Sequence, residues 1–470
     1  MSGGPASHLV CAGCENAPPD DAPFPFRCLN AGRADDIDHV LVRRLVRPHL
    51  PPVPDDERNP FVRFRTLLHS HARALGGGMR DAAFVALVRE LDARVAAVSG
   101  CGFRETPFRR FDTLAARAGA GALWIKDETR HVAGSHKARH LFGVLLHLEV
   151  SERLGLVSRA ESDRRGLAIA SCGNAALAAA VIARATSRPL EVFTPPDADR
   201  GVVARLESLG ARITSSPRRA GERGDPCIHA FHRALERGAL PFCCQGNENG
   251  LTIEGGETLA WEVARTLAAA DAGIDRLFVQ VGGGALASAC IQGLREAVAL
   301  GALPHMPRVH AVQTRGAFPL RRAYERVRAI VLERLGGGGD GGDASAAERM
   351  RAPAAAEAAR EALRYARHHR SEFMWPWEEP PRSIAHGILD DETYDWHAVI
   401  EGMIETGGWP VTVTEERLAE AHALARACTD LAPDHTGAAG LAGLLELGCA
   451  GAGFESGRVA VLFTGAERGS

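Results

Sequence analysis

At 470 residues the chain is too long for one simple core, and a net charge of -3 with 24% charged residues leaves no basic footprint for a nucleic-acid partner. No apolar run reaches bilayer-spanning length and the N-terminus lacks the basic-then-apolar order of a secretory signal, so a cytoplasmic protein with no membrane association is expected. Eleven cysteines are too sparse for a disulfide scaffold and fit reduced thiols.

The chain opens with His8, Cys11, Cys14 and Cys28, spaced H-x2-C-x2-C-x13-C, which are the ligand types of a small zinc knuckle. The second pair of the motif is incomplete. Thiols in an N-terminal arm are the simpler reading, and no metal is expected. Proline-rich segments at 18–25 and 48–54 then lead to a helical stretch over 61–98. Residues 1–100 read together as an N-terminal extension.

From Cys101 onward, strand-like runs alternate with helical patterns, the signature of a layered α/β fold with mostly parallel sheets. The run Ala122, Leu123, Trp124 and Ile125 predicts a buried strand. Gly134 and Ser135 supply a turn and a side chain able to cap the next helix, so Lys137 falls in that helix's first turn, at the carboxyl edge of the sheet. An amine held there faces the positive end of a helix dipole and a partly dry wall, both of which favour an uncharged nucleophile. By itself the stretch is explained as well by an ordinary lysine at a loop-helix joint.

A second buried strand is predicted at 167–170, running into Ser171-Cys172-Gly173-Asn174 and an alanine-rich helix over 175–185. A third follows at 190–193 with its helix ending near 209–210, and a fourth at 276–281 ends in Gly282-Gly283-Gly284 before another alanine-rich helix. Residues 321–381 break this rhythm with a glycine spacer at 336–342, a charged helical stretch, and the aromatic run Phe373-Met374-Trp375-Pro376-Trp377. They read as an insertion whose aromatics serve packing or an oligomer contact. Beyond it come a turn and strand over 406–413, helices over 415–427 and 436–447, and a last strand over 459–463 that ends at Thr464-Gly465.

Gly282 to Leu286, between a buried strand and a helix, would let backbone N–H groups approach a phosphate. A lone glycine turn is as often structural, and neither G-x-G-x-x-G nor a P-loop is present, which disfavours a dinucleotide enzyme. Thr106-Pro107, Lys126-x-Glu128 with Gly134-Ser135-His136-Lys137, Ser171-x-Gly173-Asn174, Gly282-Gly283-Gly284 and Thr464-Gly465 resemble, in order, the fold type II pyridoxal-phosphate enzymes. The resemblance covers residues from about Cys101 to Arg468. Ser171 to Ala176 and Phe463-Thr464-Gly465 look most similar to threonine synthase. Ser383 to Gly387 and Thr406-Gly407-Gly408 look as much like serine and threonine dehydratases.

The resemblance implies a tryptophan synthase β-like fold, three-layered, with a large and a small domain. The catalytic region would be 101–470, with the small domain near 140–215 and the insertion at 321–381. It implies pyridoxal 5'-phosphate as cofactor and Lys137 as the lysine that joins the cofactor aldehyde and then acts as general acid and base. Asn174 matches the residue that bonds the ring hydroxyl oxygen, and Gly282, Gly283, Gly284, Ala285 and Leu286 match the phosphate loop. Ser171, Cys172, Gly173, Asn174 and Ala175 match the cradle of the substrate carboxylate, and Thr464 the hydroxyl facing the pyridine nitrogen. A hydroxyl there stores carbanion charge in the ring poorly, so loss of a β or γ substituent from an L-amino acid is the expected reaction.

His136 departs from the dehydratase pattern and is closer to the tryptophan synthase β chain. It would touch the cofactor phosphate or simply pack. An extra phosphate site of the threonine synthase kind is not singled out by the arginines, Arg139 and Arg315 among them. The alternatives are a β-replacement synthase of the cysteine or tryptophan synthase kind, and a non-catalytic amino-acid-binding protein of the same fold. A homodimer is the family's habit.

Overall fold

Two short strands pair antiparallel near the N-terminus, β1 (Ser7–Cys11) and β2 (Leu41–Leu45). The remaining strands are β3 (Phe108–Arg110), β4 (Ala122–Asp127), β5 (Leu167–Ala170), β6 (Leu190–Thr194), β7 (Arg212–Ser215), β8 (Leu240–Pro241), β9 (Arg276–Gln280), β10 (Arg308–Thr314), β11 (Val411–Val413) and β12 (Arg458–Phe463). They form a six-stranded sheet ordered β11-β10-β9-β12-β4-β3 and a four-stranded sheet ordered β7-β6-β5-β8. Every pairing in the two sheets is parallel except that of the edge strand β3 with β4. The α/β architecture expected from the sequence is the one observed. This computed structural model describes residues 7–467 except 33, 47, 51, 52, 220, 338–340, 450, 452, 453 and 455. The expected proline-rich segment at 48–54 and glycine spacer at 336–342 therefore lie partly outside the described residues.

Six helices matter for the site: α1 (Lys137–Arg153), α2 (Asn174–Ala185), α3 (Thr252–Ala269), α4 (Ala285–Ala299), α5 (Ala356–His368) and α6 (Trp396–Thr406). All residues of α1 from Ala138 to Ser151 are buried. A helix apolar on most sides belongs inside, and α1 lies under α3. The two backbones meet at glycines: a Cβ on Gly255 would sit 2.1 Å from the Arg139 carbonyl oxygen, and one on Gly143 would sit 3.0 Å from Gly255 Cα. A larger residue at 255 would push the Lys137 helix off its seat.

Strand order is what assembles the site. The last strand, β12, inserts between β9 and β4, with Phe463 opposite Asp127. Residues following β4, β9 and β12 therefore leave the sheet at the same carboxyl edge, where ligands of open parallel sheets bind.

The helical stretch expected over 61–98 is interrupted rather than continuous. It contains helices Pro60–Arg63, His69–Gly76 and Asp81–Ser99, and Gly78 between the last two has φ +90°. Phe61, Phe84 and Leu91 from this part share one core with Phe142 and Leu145 of α1 and with the four-stranded sheet. The region after β10 is helical (Pro319–Arg334, Gly342–Arg351, α5, Arg370–Phe373). Its aromatics pack within the chain: Phe373 stacks on Trp396 at 5.9 Å, and the Arg322 guanidinium lies 3.7 Å from the Trp375 ring centre.

Candidate active site

Lys137 is the first residue of α1 and half-buried. The sequence holds two lysines, and the other is committed elsewhere. Lys126 Nζ is fully buried, 2.5 Å from Glu262 Oε2 and donating to the Thr106 carbonyl at 2.7 Å. Lys137 is thus the lysine of this chain available to a carbonyl substrate or cofactor.

Thr464 and Gly465 lie beside it. The backbone N–H of His136 meets the Thr464 carbonyl at 3.3 Å, and Ser135 forms a bridge with Gly465. A Cβ on Gly465 would approach the Asn174 side-chain amide at 2.8 Å and the Asp434 carboxylate at 3.0 Å, so the last loop passes close over the start of α2. The structure brings Lys137, Asn174, Thr464 and the glycine turn after β9 to one edge. Gly173 N–H bonds the Ser171 hydroxyl at 3.3 Å, and no side chain caps α2. A helix start without a side-chain cap is a place that suits an anion.

One residue here has no local sequence signal. Gln280, the last residue of β9, is buried, and its Nε2 meets the carbonyls of Gly437 at 3.0 Å and Leu462 at 3.2 Å. Carbonyls only accept, which fixes the amide's orientation. The same Nε2 donates to Thr464 Oγ1 at 2.6 Å, leaving the threonine's own proton for another acceptor.

The glycine turn meets the segment 388–395. A Cβ on Gly282 would lie 2.2 Å from Asp390 Oδ2, one on Gly283 2.9 Å from the Tyr394 ring, and one on Gly284 3.0 Å from Thr393. Gly284 also has φ +96°. Asp390 accepts the Gly283 N–H, so this turn already binds an anionic oxygen. Burial pushes the Asp390 carboxyl up to about 6, against the opposing pull of Lys137, and burial likewise raises Asp391 and Asp395 to about 7.

One expectation beside Lys137 changes. Ser135 does not cap α1; its hydroxyl is buried with no partner among the described residues. His136 is buried, and burial followed by the neighbouring Lys137 charge holds its pKa well below the usual histidine value. Its Nδ1 lies 3.3 Å from the Thr464 carbonyl oxygen, which accepts from a ring protonated at that nitrogen.

Arg139 is not open to a substrate phosphate. Its guanidinium donates to Glu128 Oε2 at 2.8 Å and to Glu262 Oε1 at 2.6 Å, and Thr106 bonds Glu128 at 2.5 Å. Burial raises the Glu262 carboxyl, but Arg139 and Lys126 outweigh it and the net shift is downward. Two cations thus face two carboxylates under α1 and hold the lysine-bearing turn in place.

The family model of pyridoxal-phosphate dependent enzymes matches residues 102–375, more than half of the chain. The chain belongs to this family, as the resemblance in its motifs implied. L-serine dehydratase of Saccharomyces cerevisiae is 27% identical over 217 residues, 45% of this chain and 62% of that protein. Threonine synthase of Methanosarcina acetivorans is 27% identical over 228 residues, 47% of this chain and 50% of that one. These matches thus span less than two thirds of either relative's length. Diaminopropionate ammonia lyase from Escherichia coli has the same fold, with a TM-score of 0.55 at 15% identity, covering 82% of this chain and 89% of that one.

The residues present fit pyridoxal phosphate. A lysine with no side-chain partner among the described residues, a glycine turn whose N–H already meets a carboxylate oxygen, the Ser135 hydroxyl and the Thr464 hydroxyl oriented by Gln280 converge on one edge. The cysteine cluster at the N-terminus lies outside this site and is assembled differently from its expected form. His8 is on the exposed face of β1, and His39 meets Cys11, Cys14 and Cys28 instead.

Proposed function

We propose that this protein is a pyridoxal-phosphate lyase of the ammonia-lyase type, which eliminates a β or γ substituent from an L-amino acid. The observation that carries this reading is the Gln280–Thr464 hydrogen bond. Because the glutamine amide donates to Thr464, the hydroxyl offers its proton outward as a neutral donor. Facing a pyridine nitrogen, it leaves that nitrogen unprotonated. When bound, the cofactor supplies an electron sink for charge at the substrate Cα, and a neutral ring makes that sink weak enough for departure of a substituent to be the easier outlet.

In this reading Lys137 Nζ removes the Cα proton. Ser171, Cys172, Gly173 and Ala175 hold the substrate carboxylate with the first N–H groups of α2, and Asn174 orients the ring hydroxyl. Gly282, Gly283, Gly284, Ala285 and Leu286 hold the phosphate. The names of the relatives support serine or threonine and their β- or γ-substituted analogues as the substrate class. The Asp390 carboxyl, set against the glycine turn and within the field of Lys137, favours a second reading, in which the departing group is a β-amine.

The test is release of ammonia and a keto acid from L-serine, L-threonine, their O-phospho and O-acetyl derivatives and L-2,3-diaminopropionate. Turnover of at least one, lost in Lys137→Ala, is expected. Ammonia from none of them would sink the ammonia-lyase reading, and a new amino acid formed only with an added nucleophile would favour a replacement synthase. The reading includes a cytoplasmic homodimer. No helix among the described residues is long and apolar enough to cross a membrane, and dimerisation is checked by light scattering.

A further inference from the structure

We propose that Cys11, Cys14, Cys28 and His39 bind one zinc ion, which fastens the N-terminal segment to the catalytic body. The four ligand atoms all lie within 4.8 Å of one another. Cys14 Sγ is 3.5 Å from Cys28 Sγ, and Cys11 Sγ is 3.5 Å from His39 Nδ1. Zn–S bonds of about 2.3 Å and Zn–N bonds of about 2.0 Å give a tetrahedron with edges of roughly 3.5–3.8 Å. A disulfide would need sulfurs about 2.05 Å apart. The spacing is that of ligands around a common centre, not of a bridge.

The surroundings are those of a metal site rather than of stray thiols. Asp35 takes the other imidazole nitrogen, with Nε2 at 3.2 and 3.3 Å from its two oxygens, which aims Nδ1 at the sulfurs. Outer carboxylates orient metal-bound histidines in this way. Asn30 offers its backbone N–H to Cys28 Sγ at 3.4 Å and its side-chain amide to Cys14 Sγ at 3.3 Å, donors that suit thiolates. The Cys-Ala-Gly-Cys turn presses on the loop that brings His39: a Cβ on Gly13 would lie 2.6 Å from the Asp38 carbonyl oxygen. Three sulfurs and one nitrogen in a tetrahedron select zinc over magnesium or calcium, and four protein ligands close the site to catalysis.

The ion would join pieces that are distant in sequence. Cys11 ends β1, while His39 stands two residues before β2, whose Arg43 enters a buried cluster with Glu254 and Glu257 on α3 and Glu296 on α4. The Ala12 carbonyl accepts from Arg367 at 2.9 Å, and Asp38 N–H bonds the Arg367 carbonyl at 2.8 Å. Arg367 also reaches His397 Nδ1 at 2.8 Å, so the knuckle clamps α5 against α6. The role is structural and does not depend on the reaction the enzyme performs.

The test is metal content of the purified full-length protein, with Co2+ titration of the metal-stripped protein as the second readout. One zinc per chain and the visible bands of tetrahedral thiolate-bound cobalt are expected, the bands vanishing on adding one equivalent of Zn2+. Cys14→Ser and His39→Ala should lose the metal, and His8→Ala should keep it. Asp35→Ala should weaken binding by roughly 10–100-fold. Absence of both zinc and cobalt bands in the wild type, iron in place of zinc, or loss of metal in His8→Ala with retention in His39→Ala would overturn the proposal.

Discussion

Two clusters of buried charge hold this molecule together, and they are built on opposite balances. Under the lysine-bearing helix, Lys126 and Arg139 meet Glu128 and Glu262, two cations against two carboxylates. Where the N-terminal segment docks, Arg43 alone meets Glu254, Glu257 and Glu296, one cation against three carboxylates. In the first, Glu262 stays ionised, its carboxyl below the usual range despite burial. In the second, burial outweighs Arg43 and raises the Glu254 carboxyl to about 7, and it raises Glu257 as well. Glu254 also accepts the His69 N–H at 2.7 Å, so one titrating group sits at the start of a helix. The balanced cluster therefore sets a fixed geometry beside the site, whereas the unbalanced one makes the N-terminal attachment sensitive to pH.

Removing a partner from the balanced cluster should have the largest effect. Glu262→Gln leaves Lys126 and Arg139 without their shared carboxylate and is expected to lower stability by about 3–5 kcal/mol. Urea unfolding should show this to a similar extent at pH 6 and pH 8. Arg43→Met should cost about 2–4 kcal/mol at pH 8, where the three carboxylates repel one another, and clearly less at pH 5, where they can protonate. Equal losses at the two pH values would show that the clusters do not differ as described.

Glu254 carries the sign of this dependence. Its folded pKa is raised, so its contribution to stability is complete below the unfolded value and is lost as pH rises through about 7. Glu254→Gln should accordingly flatten the fall in stability from pH 5 to 8 by an amount on the order of 1–2 kcal/mol. Glu262 works the other way, its contribution being present at neutral pH and lost only in acid. A steeper pH profile in Glu254→Gln would contradict the assignment.

The smallest effect, about 1–2 kcal/mol in stability, is expected from Gln280→Leu, which removes the hydrogen bond to Thr464 and takes the amide donor from the Gly437 and Leu462 carbonyls. Turnover should fall several-fold with little change in KM. An equal rise in KM would instead make Gln280 a binding residue.

Much of the catalytic body was legible because its motifs sit where a strand ends and a helix begins. Such joints announce themselves by an apolar run, a small-residue turn and an alanine-rich helix, as at Leu167–Ala170 and Arg276–Gln280. Ser135 was misread because a serine before a helix caps it only when its backbone is placed to do so; here the N-cap is His136. His8 has the correct linear spacing to Cys11, but alternation along β1 turns it to solvent, and His39 comes in from a later loop. Arg139 finds Glu262 on α3, and Arg43 finds Glu254 and Glu257 on α3 and Glu296 on α4, each more than a hundred residues away. No local pattern announces such pairs, nor the lone buried Gln280 that orients Thr464.

The central claim is that Lys137 holds the cofactor, and two lysines make it unusually simple to check. The protein saturated with pyridoxal phosphate should be yellow, and borohydride should fix the cofactor to one peptide, identified by mass spectrometry as the one containing Lys137, with loss of all ammonia release. Lys137→Ala should remain soluble, colourless and unlabelled. A label on Lys126, or undiminished turnover in Lys137→Ala, would contradict the account.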